Sequence, residues 1–520
     1  MLLYAFCMLY LIPVFPHFLS ANELTRWASA AGVTEHRSFE VSWAEEVIGP
    51  PMDVSQYAGK QYSNKAPALT FLSVPAYLAA RLVLGPPTTH NLRWSLYAVR
   101  SLTVTFAAVV LGLLMARSTR NDPFSVATLL FATPVFLYGA LYFSHVLAAG
   151  CLFAAYLLVL RAPPAQPALS RHCLAGAMAG LAAMADYTVI LGVAAMAGAL
   201  LLLPGRWKRV AWFAVGGLPA AVVLAVYNWA LFGSPFALSV AREAAANLAS
   251  ERSIGVFGIT WPTLSRLAAV LGSPSRGLLF YSPILAFGLV ALLPRPRRSA
   301  AGWFRLVFVA CLVLAMAGYQ SSHGGWGMGS RYLIPALPFL VEAAYDRGAR
   351  SGWLTSGCLA FSLVLSVTPL LAFPFAPEFI PFPHASFTRP FLAAGFVTPN
   401  WGYPLAPGIV SLLPVVAAAA AALVLASAGL TKRAALGALG GLVLAAGVVL
   451  APVTDTPTVA AIRALVLDTS FRPEDRIGAM AARASDPGAR ARLEGLRATV
   501  GPTRSVGPDD WPYLPPSPGR

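Results

Sequence analysis

The chain has 520 residues, 57% of them hydrophobic and only 11% charged, with a formal net charge of +16. A soluble chain of this size carries about 25% charged residues, so composition argues against a soluble globular fold. Continuous rather than alternating apolar runs argue against a β-barrel. The arginines lie mostly in short loops between apolar runs, where they set membrane topology rather than mark a nucleic-acid surface.

Residues 1–19 form the first apolar run. It has no basic leader, and Pro13 and Pro16 interrupt it, so it reads as a retained first transmembrane helix rather than a signal peptide. The polar stretch that follows opens with Glu23-Leu24-Thr25-Arg26 and contains Gly59-Lys60-Gln61-Tyr62-Ser63-Asn64-Lys65-Ala66-Pro67. If the segment after Glu23 is helical, Glu23 and Arg26 share one face. A carboxylate with two cations, Arg26 and Lys65, beside a membrane suits a site that handles a phosphate and moves a proton. Residues 66–84 are apolar enough to cross, but charge asymmetry decides otherwise. The basic loops are Arg117/Arg120, Arg161/Arg171, Arg206/Lys208/Arg209, Arg295/Arg297/Arg298, Arg347/Arg350 and Lys432/Arg433. They share the cytoplasmic side only if 66–84 lies along the outer face.

The expected spans are 2–18, 96–116, 123–141, 146–161, 173–187, 189–203, 210–231, 278–293, 304–320, 331–345, 352–373, 408–429 and 434–452, about thirteen crossings. The pair around Asp186 has one long tilted helix as its alternative. The expected fold is thus an all-α polytopic membrane bundle over 1–453, with a first outer loop over 19–95. Residues 454–520 form a tail, a short helix followed by a Pro-rich disordered end. The alanine run at 417–422 predicts tight helix packing. Cys7, Cys151, Cys173, Cys311 and Cys358 fall in or beside apolar runs without CxxC spacing, which suggests neither zinc nor disulfides. No cofactor is indicated.

This topology collects the unusual polar residues on one face. Arg100 lies inside an apolar crossing, where a charge at mid-membrane costs about 2.5–3.5 kcal/mol unless it is paired or faces a cavity. The turn Gly324-Gly325-Trp326-Gly327-Met328-Gly329-Ser330-Arg331 offers backbone N–H groups and a guanidinium at a helix start, a plausible phosphate site. His145 at a tight turn and Asp186 between two spans are accessory candidates. Walker, GxSxG and nucleotide-binding fingerprints are absent, so ATP-driven transport is not suggested.

Glu23-x-x-Arg26 followed by Tyr62-x-x-Lys65-x-Pro67 is similar to the D-E-x-R … Y-x-x-K-P-P pattern of the C-type (GT-C) glycosyltransferases. Within them it resembles the protein O-mannosyltransferases and the aminoarabinose transferase of lipid A. Three downstream pieces share the resemblance: Tyr227-Asn228 with Phe232-Gly233-Ser234-Pro235, Ser275-Arg276-Gly277-Leu278 with Tyr281-Ser282-Pro283, and Trp326 with Gly329 to Pro335. The resemblance implies a GT-C-type bundle in the bacterial inner membrane. It would move a monosaccharide from a polyprenyl-phosphate donor to a lipid, glycan or protein acceptor on the outer face, with inversion. It implies that Glu23 is the catalytic carboxylate, the base for the acceptor, that Lys65 contacts the donor phosphate and that Arg100 is a further phosphate ligand. Arg26 and Arg331 are the other cations expected at that phosphate, with Tyr62 as an accessory residue. No metal ligand and no nucleic-acid partner are expected. Two departures stand out: Glu23 replaces an aspartate, and Leu24 replaces the usual second acid. The rival readings are a flippase or transporter of lipid-linked glycan, which Asp186 would favour, and a polysaccharide polymerase or ligase. The latter would be expected to use a large outer loop rich in Arg and His, and loop 232–277 carries no His.

Overall fold

The structure is a computed structural model. It describes residues 1–452 except 16–17, 49–50, 52, 89–90, 162–165, 294–298, 323, 350–351, 378–379, 394 and 428–430, and beyond 452 only positions 459 and 491. The expected helix and Pro-rich end of the tail lie outside the described residues.

The chain is mostly helical. The helices that frame the site are α1 (Leu2–Leu11), α2 (Ala21–His36), α3 (Ala68–Leu84), α4 (Leu92–Ser118), α5 (Pro123–Phe131), α6 (His145–Arg161), α7 (Leu169–Ala185), α8 (Tyr187–Leu200) and α9 (Arg206–Phe232). They are followed by α10 (Leu264–Gly272), α11 (Ala300–Gly318), α12 (Leu337–Asp346), α13 (Trp353–Ala372) and α14 (Lys432–Leu450). Among the described residues five helices are long and apolar enough to cross a membrane: α4, α9, α11, α13 and α14. The other expected spans are shorter or broken. The 123–141 run ends as helix at Phe131 and resumes only over Val135–Tyr138, because Pro134 cannot continue the ladder. Asp186 leaves helical geometry and separates α7 from α8, so the single tilted helix does not form there.

Large apolar side chains such as Val215, Leu218, Val222, Val226 and Trp229 of α9 face outward, as lipid-facing surfaces do. Within the bundle, α7 and α9 cross on glycine. A Cβ on Gly176 would lie 1.9 Å from Phe213 O, and one on Gly216 would lie 1.9 Å from Cys173 O. Gly216→Val should therefore force the helices apart at a cost of about 1–3 kcal/mol. It would show as a lower melting temperature in detergent, while Gly198→Ala, with nothing within 4 Å, leaves melting unchanged. Among the described residues the expected packing of the alanine run is not seen, for Ala417, Ala419, Ala420 and Ala421 are exposed. The close crossing near the C-terminus is instead α13 on α14, where a Cβ on Gly437 would meet Trp353 O at 1.9 Å.

One small sheet interrupts the helices. Strands β1 (Val54–Tyr57) and β2 (Lys60–Ser63) pair antiparallel, Val54 with Ser63 and Tyr57 with Lys60. The two-residue turn Ala58-Gly59 takes positive φ at both positions, which matches the twist of a tight hairpin. Ser55 Oγ donates to Ser239 O at 2.6 Å, and Ala244 N donates to Val54 O at 2.9 Å. The hairpin is thereby docked against the loop after α9.

Polar residues gather at both ends of α6. Its first residue is His145 and its last is Arg161, about 25 Å apart at ~1.5 Å per residue, close to the thickness of a bilayer core. At the Arg161 end a carboxylate clamp ties four helices. Glu342 of α12 is fully buried. It accepts from Tyr156 Oη at 2.6 Å, from Ser118 Oγ, and from Arg161 and Arg305 at 3.2 Å each. Asp346 adds contacts of 2.8 Å to Arg161 and 2.7 Å to Arg305. The sequence analysis did not single out Glu342.

Candidate anion-binding and transfer site

Helix α2 is polar in sequence yet buried without a break from Asn22 to Gly32, so its charges must find partners. Glu23 finds Arg100. The guanidinium donates from Nη2 to Oε2 at 2.6 Å and from Nε to Oε1 at 3.0 Å. Tyr142 N donates to the same carboxylate at 2.6 Å, and Arg100 Nη1 donates to Pro13 O at 2.5 Å. A π-helical turn over Ser101–Thr105 follows Arg100 directly. All three Arg100 nitrogens thus face protein acceptors. Although Glu23 and Arg26 belong to the same helix, they do not pair. Arg26 donates instead to Asn22 Oδ1 at 3.0 Å, Ala66 O at 3.2 Å and Ser144 Oγ at 3.1 Å. Between them, Glu23 and Arg26 pin both ends of the turn Tyr142-Phe143-Ser144.

The docked hairpin delivers Lys65. Its Nζ lies 2.9 Å from Asp53 Oδ2, and Asp53 takes the positive φ of 58° that starts the hairpin. Asn64 Nδ2 donates to Glu243 Oε2 at 2.7 Å, and Glu243 is also paired with Arg252. Burial alone would raise the Asp53 carboxyl, but Lys65, with Arg331 and Arg252 behind it, holds it below its ordinary value. Burial lowers the Lys65 ammonium against the opposing pull of Asp53. For Glu243 burial outweighs Arg252 and raises the carboxyl. Tyr62 turns away into an aromatic group, its ring 5.7 Å from that of Phe232.

Arg331 occupies the centre. It is buried, with its guanidinium carbon 4.8 Å from the Phe143 ring centroid and 5.2 Å from that of Tyr332. Nε has no hydrogen-bond partner among the described residues. Among the described residues no carboxylate lies within ion-pair distance of Arg331 or of Arg26. Arg331 lies within electrostatic reach of Asp53, Arg26 and His145. The glycine turn before it is packed rather than open. Gly327, Met328 and Gly329 are buried, and Gly327 N donates to Ala376 O at 2.8 Å. A Cβ on Gly324, whose φ is +76°, would lie 3.0 Å from Arg331 Nε. The turn therefore packs against the guanidinium, and the N–H groups of Gly324, Gly327 and Arg331 are spent on backbone acceptors.

His145 and Asp186 meet beside the same rings. His145 Nδ1 lies 2.7 Å from Asp186 Oδ2, while Asp186 Oδ1 accepts from Thr188 N at 3.0 Å and Thr188 Oγ1 at 2.7 Å. Phe143 stacks on the imidazole at 6.4 Å, and Tyr332 meets it edge-on at 5.4 Å.

The structure thus brings Arg26, Lys65, His145, Asp186 and Arg331 to one end of the bundle. It joins Glu23 to Arg100 beside them, and seats Tyr62 apart. Sequence reasoning missed Phe143, Tyr332, Glu243 and the role of Asp53 as the partner of Lys65. Only the adjacency of Tyr332 to Arg331 was a usable signal, because Glu243 reaches the site from a distant loop.

No family model matches the chain, and no curated protein matches it. The overall arrangement is similar to that of ArnT from Cupriavidus metallidurans. The structure of ArnT bound to undecaprenyl phosphate is 14% identical, with a TM-score of 0.48 over 86% of this chain and 75% of that one. The apo form gives the same identity and score over 90% and 79%. The archaeal oligosaccharyltransferase AglB from Archaeoglobus fulgidus, in complex with an inhibitory peptide and a dolichol-phosphate, is 13% identical. Its TM-score is 0.35 over 100% of this chain and 60% of that one. At this degree of likeness the roles of individual residues rest on the chain's own geometry.

Proposed function

We propose that this membrane protein transfers a monosaccharide from a polyprenyl-phosphate donor to an acceptor at the outer face of a bacterial inner membrane, with inversion. The observation that carries the reading is the buried Arg331 guanidinium, set over two aromatic rings, with no carboxylate at ion-pair distance and no partner for Nε among the described residues. A buried cation without a counter-ion is costly, and a phosphate would supply the missing charge with bidentate geometry. Lys65 and Arg26 add positive charge around it, and an apolar exterior suits a donor that arrives through lipid.

In the transfer step the acceptor oxygen or nitrogen attacks the anomeric carbon, the bond from that carbon to the phosphate oxygen breaks, and the phosphate leaves with added negative charge. Arg331 and Lys65 would stabilise that charge in a site largely closed to water. Glu23 and Arg26 would hold the turn 142–144 in place beneath it.

The test is comparative mass spectrometry of surface lipids, glycans and proteins in a deletion strain and in the same strain complemented with the gene. The expected result is a sugar modification, accessible to an outer-surface label, that vanishes on deletion and returns on complementation. Accumulation of an unmodified lipid-linked glycan on the inner leaflet would favour a flippase instead.

A further inference from the structure

We infer that His145, held by Asp186, is the general base that deprotonates the acceptor, an inference resting on the transferase reading above. Glu23 is already committed elsewhere. Both its oxygens accept from Arg100, and one also accepts from Tyr142 N, so its charge is already met from three directions. His145 presents the opposite picture. Nδ1 faces Asp186 at 2.7 Å, which places the ring proton there and leaves the lone pair on Nε2. Asp186 is itself fixed by two donors from Thr188. Phe143 and Tyr332 pack against the imidazole, and Nε2 has no hydrogen-bond partner among the described residues.

The same two rings contact Arg331, so the base and the anion seat are neighbours around one aromatic pair. A donor whose phosphate rests on Arg331 would bring its anomeric carbon near His145. The step then balances. The acceptor O–H or N–H proton passes to Nε2, the acceptor atom bonds to the anomeric carbon, and the carbon–oxygen bond to the phosphate breaks with its electron pair leaving on the phosphate. Asp186 stabilises the imidazolium so formed and acts as a positioning residue. The charged groups facing His145 are Asp186 at the end of α7, Arg26 on α2 and Arg331 after the glycine turn.

The experiment uses the full chain in spheroplasts of the deletion strain, which supply native donor and acceptor while outer pH is varied. The readout is the initial rate of the modification lost on deletion. His145→Gln should slow it by roughly 10²–10⁴-fold. Asp186→Asn should slow it on the order of 10²-fold and move the acid limb of the pH–rate profile to lower pH, because the imidazolium loses its anion. Asp186→Glu should restore part of both. Binding of a short-chain polyprenyl phosphate to each purified variant should stay within about threefold of wild type. If His145→Ala fails to fold, the isosteric His145→Gln remains the test. Wild-type product with full rate in His145→Gln overturns this inference and leaves the transferase reading intact. So does an unmoved pH profile in Asp186→Asn. No wild-type product at all overturns both.

Discussion

Glu23→Ala should cost about 3–5 kcal/mol of stability, because it leaves the Arg100 guanidinium buried beside Pro13 with no anion. Arg100→Ala should cost a similar amount by stranding the carboxylate. Measured as melting in detergent, each single variant should fall well below wild type, and Glu23→Leu combined with Arg100→Leu should recover much of the loss, since the desolvation of both charges disappears with them. Glu23→Gln separates this role from the one the sequence resemblance implies. A folded Glu23→Gln protein with wild-type melting and no transfer would make Glu23 the base and remove the structural argument.

Arg331→Ala should weaken binding of a short-chain polyprenyl phosphate by roughly ten- to a hundred-fold, the value of one charge-assisted contact of about 1.5–3 kcal/mol. Arg331→Lys should recover only part, because an ammonium neither forks onto two phosphate oxygens nor stacks between Phe143 and Tyr332. Titration of purified protein measures both. Unchanged affinity in Arg331→Ala, with melting intact, would remove the anion seat on which the proposed function stands. The same variant breaks no ion pair among the described residues, so its melting temperature should fall less than that of Glu23→Ala.

The bundle and the residues at its polar end were readable because each of those residues marks a break in an apolar run. Arg26 follows the first run, Lys65 precedes another, and Arg331 opens a third. Their partners were not readable. Glu23 and Arg26 stand three apart, which permits pairing on one helix face but does not compel it, and two aligned N–H groups from Arg100 on α4 compete better for the carboxylate. His145 and Asp186 meet only because α6 and α7 fold back on one another, a contact that neither local spacing nor hydropathy encodes. The hairpin had a signal in Ala58-Gly59 between alternating residues, but its docking through Ser55 and Ala244 depends on a loop far along the chain. Span lengths misled for a related reason. Hydropathy counts apolar residues, whereas Pro134 and Asp186 decide where the helix can continue.

The carboxylate clamp at the far end of α6 has a consequence for how the chain is made. Ribosomal synthesis delivers Arg161 first and Arg305 next, and Glu342 with Asp346 only afterwards. Until α12 is made both arginines lack these carboxylates and can snorkel toward water. Insertion of that helix is favoured only once α4, α6 and α11 stand in register, because Glu342 in lipid without them would be expelled. The polar contacts at that end can therefore form only after α12 has been made. A chain stopped short of Asp346 has its cations but no acid to gather them, and the end of the bundle opposite the proposed site cannot lock until nearly two-thirds of the polypeptide has been threaded into the membrane.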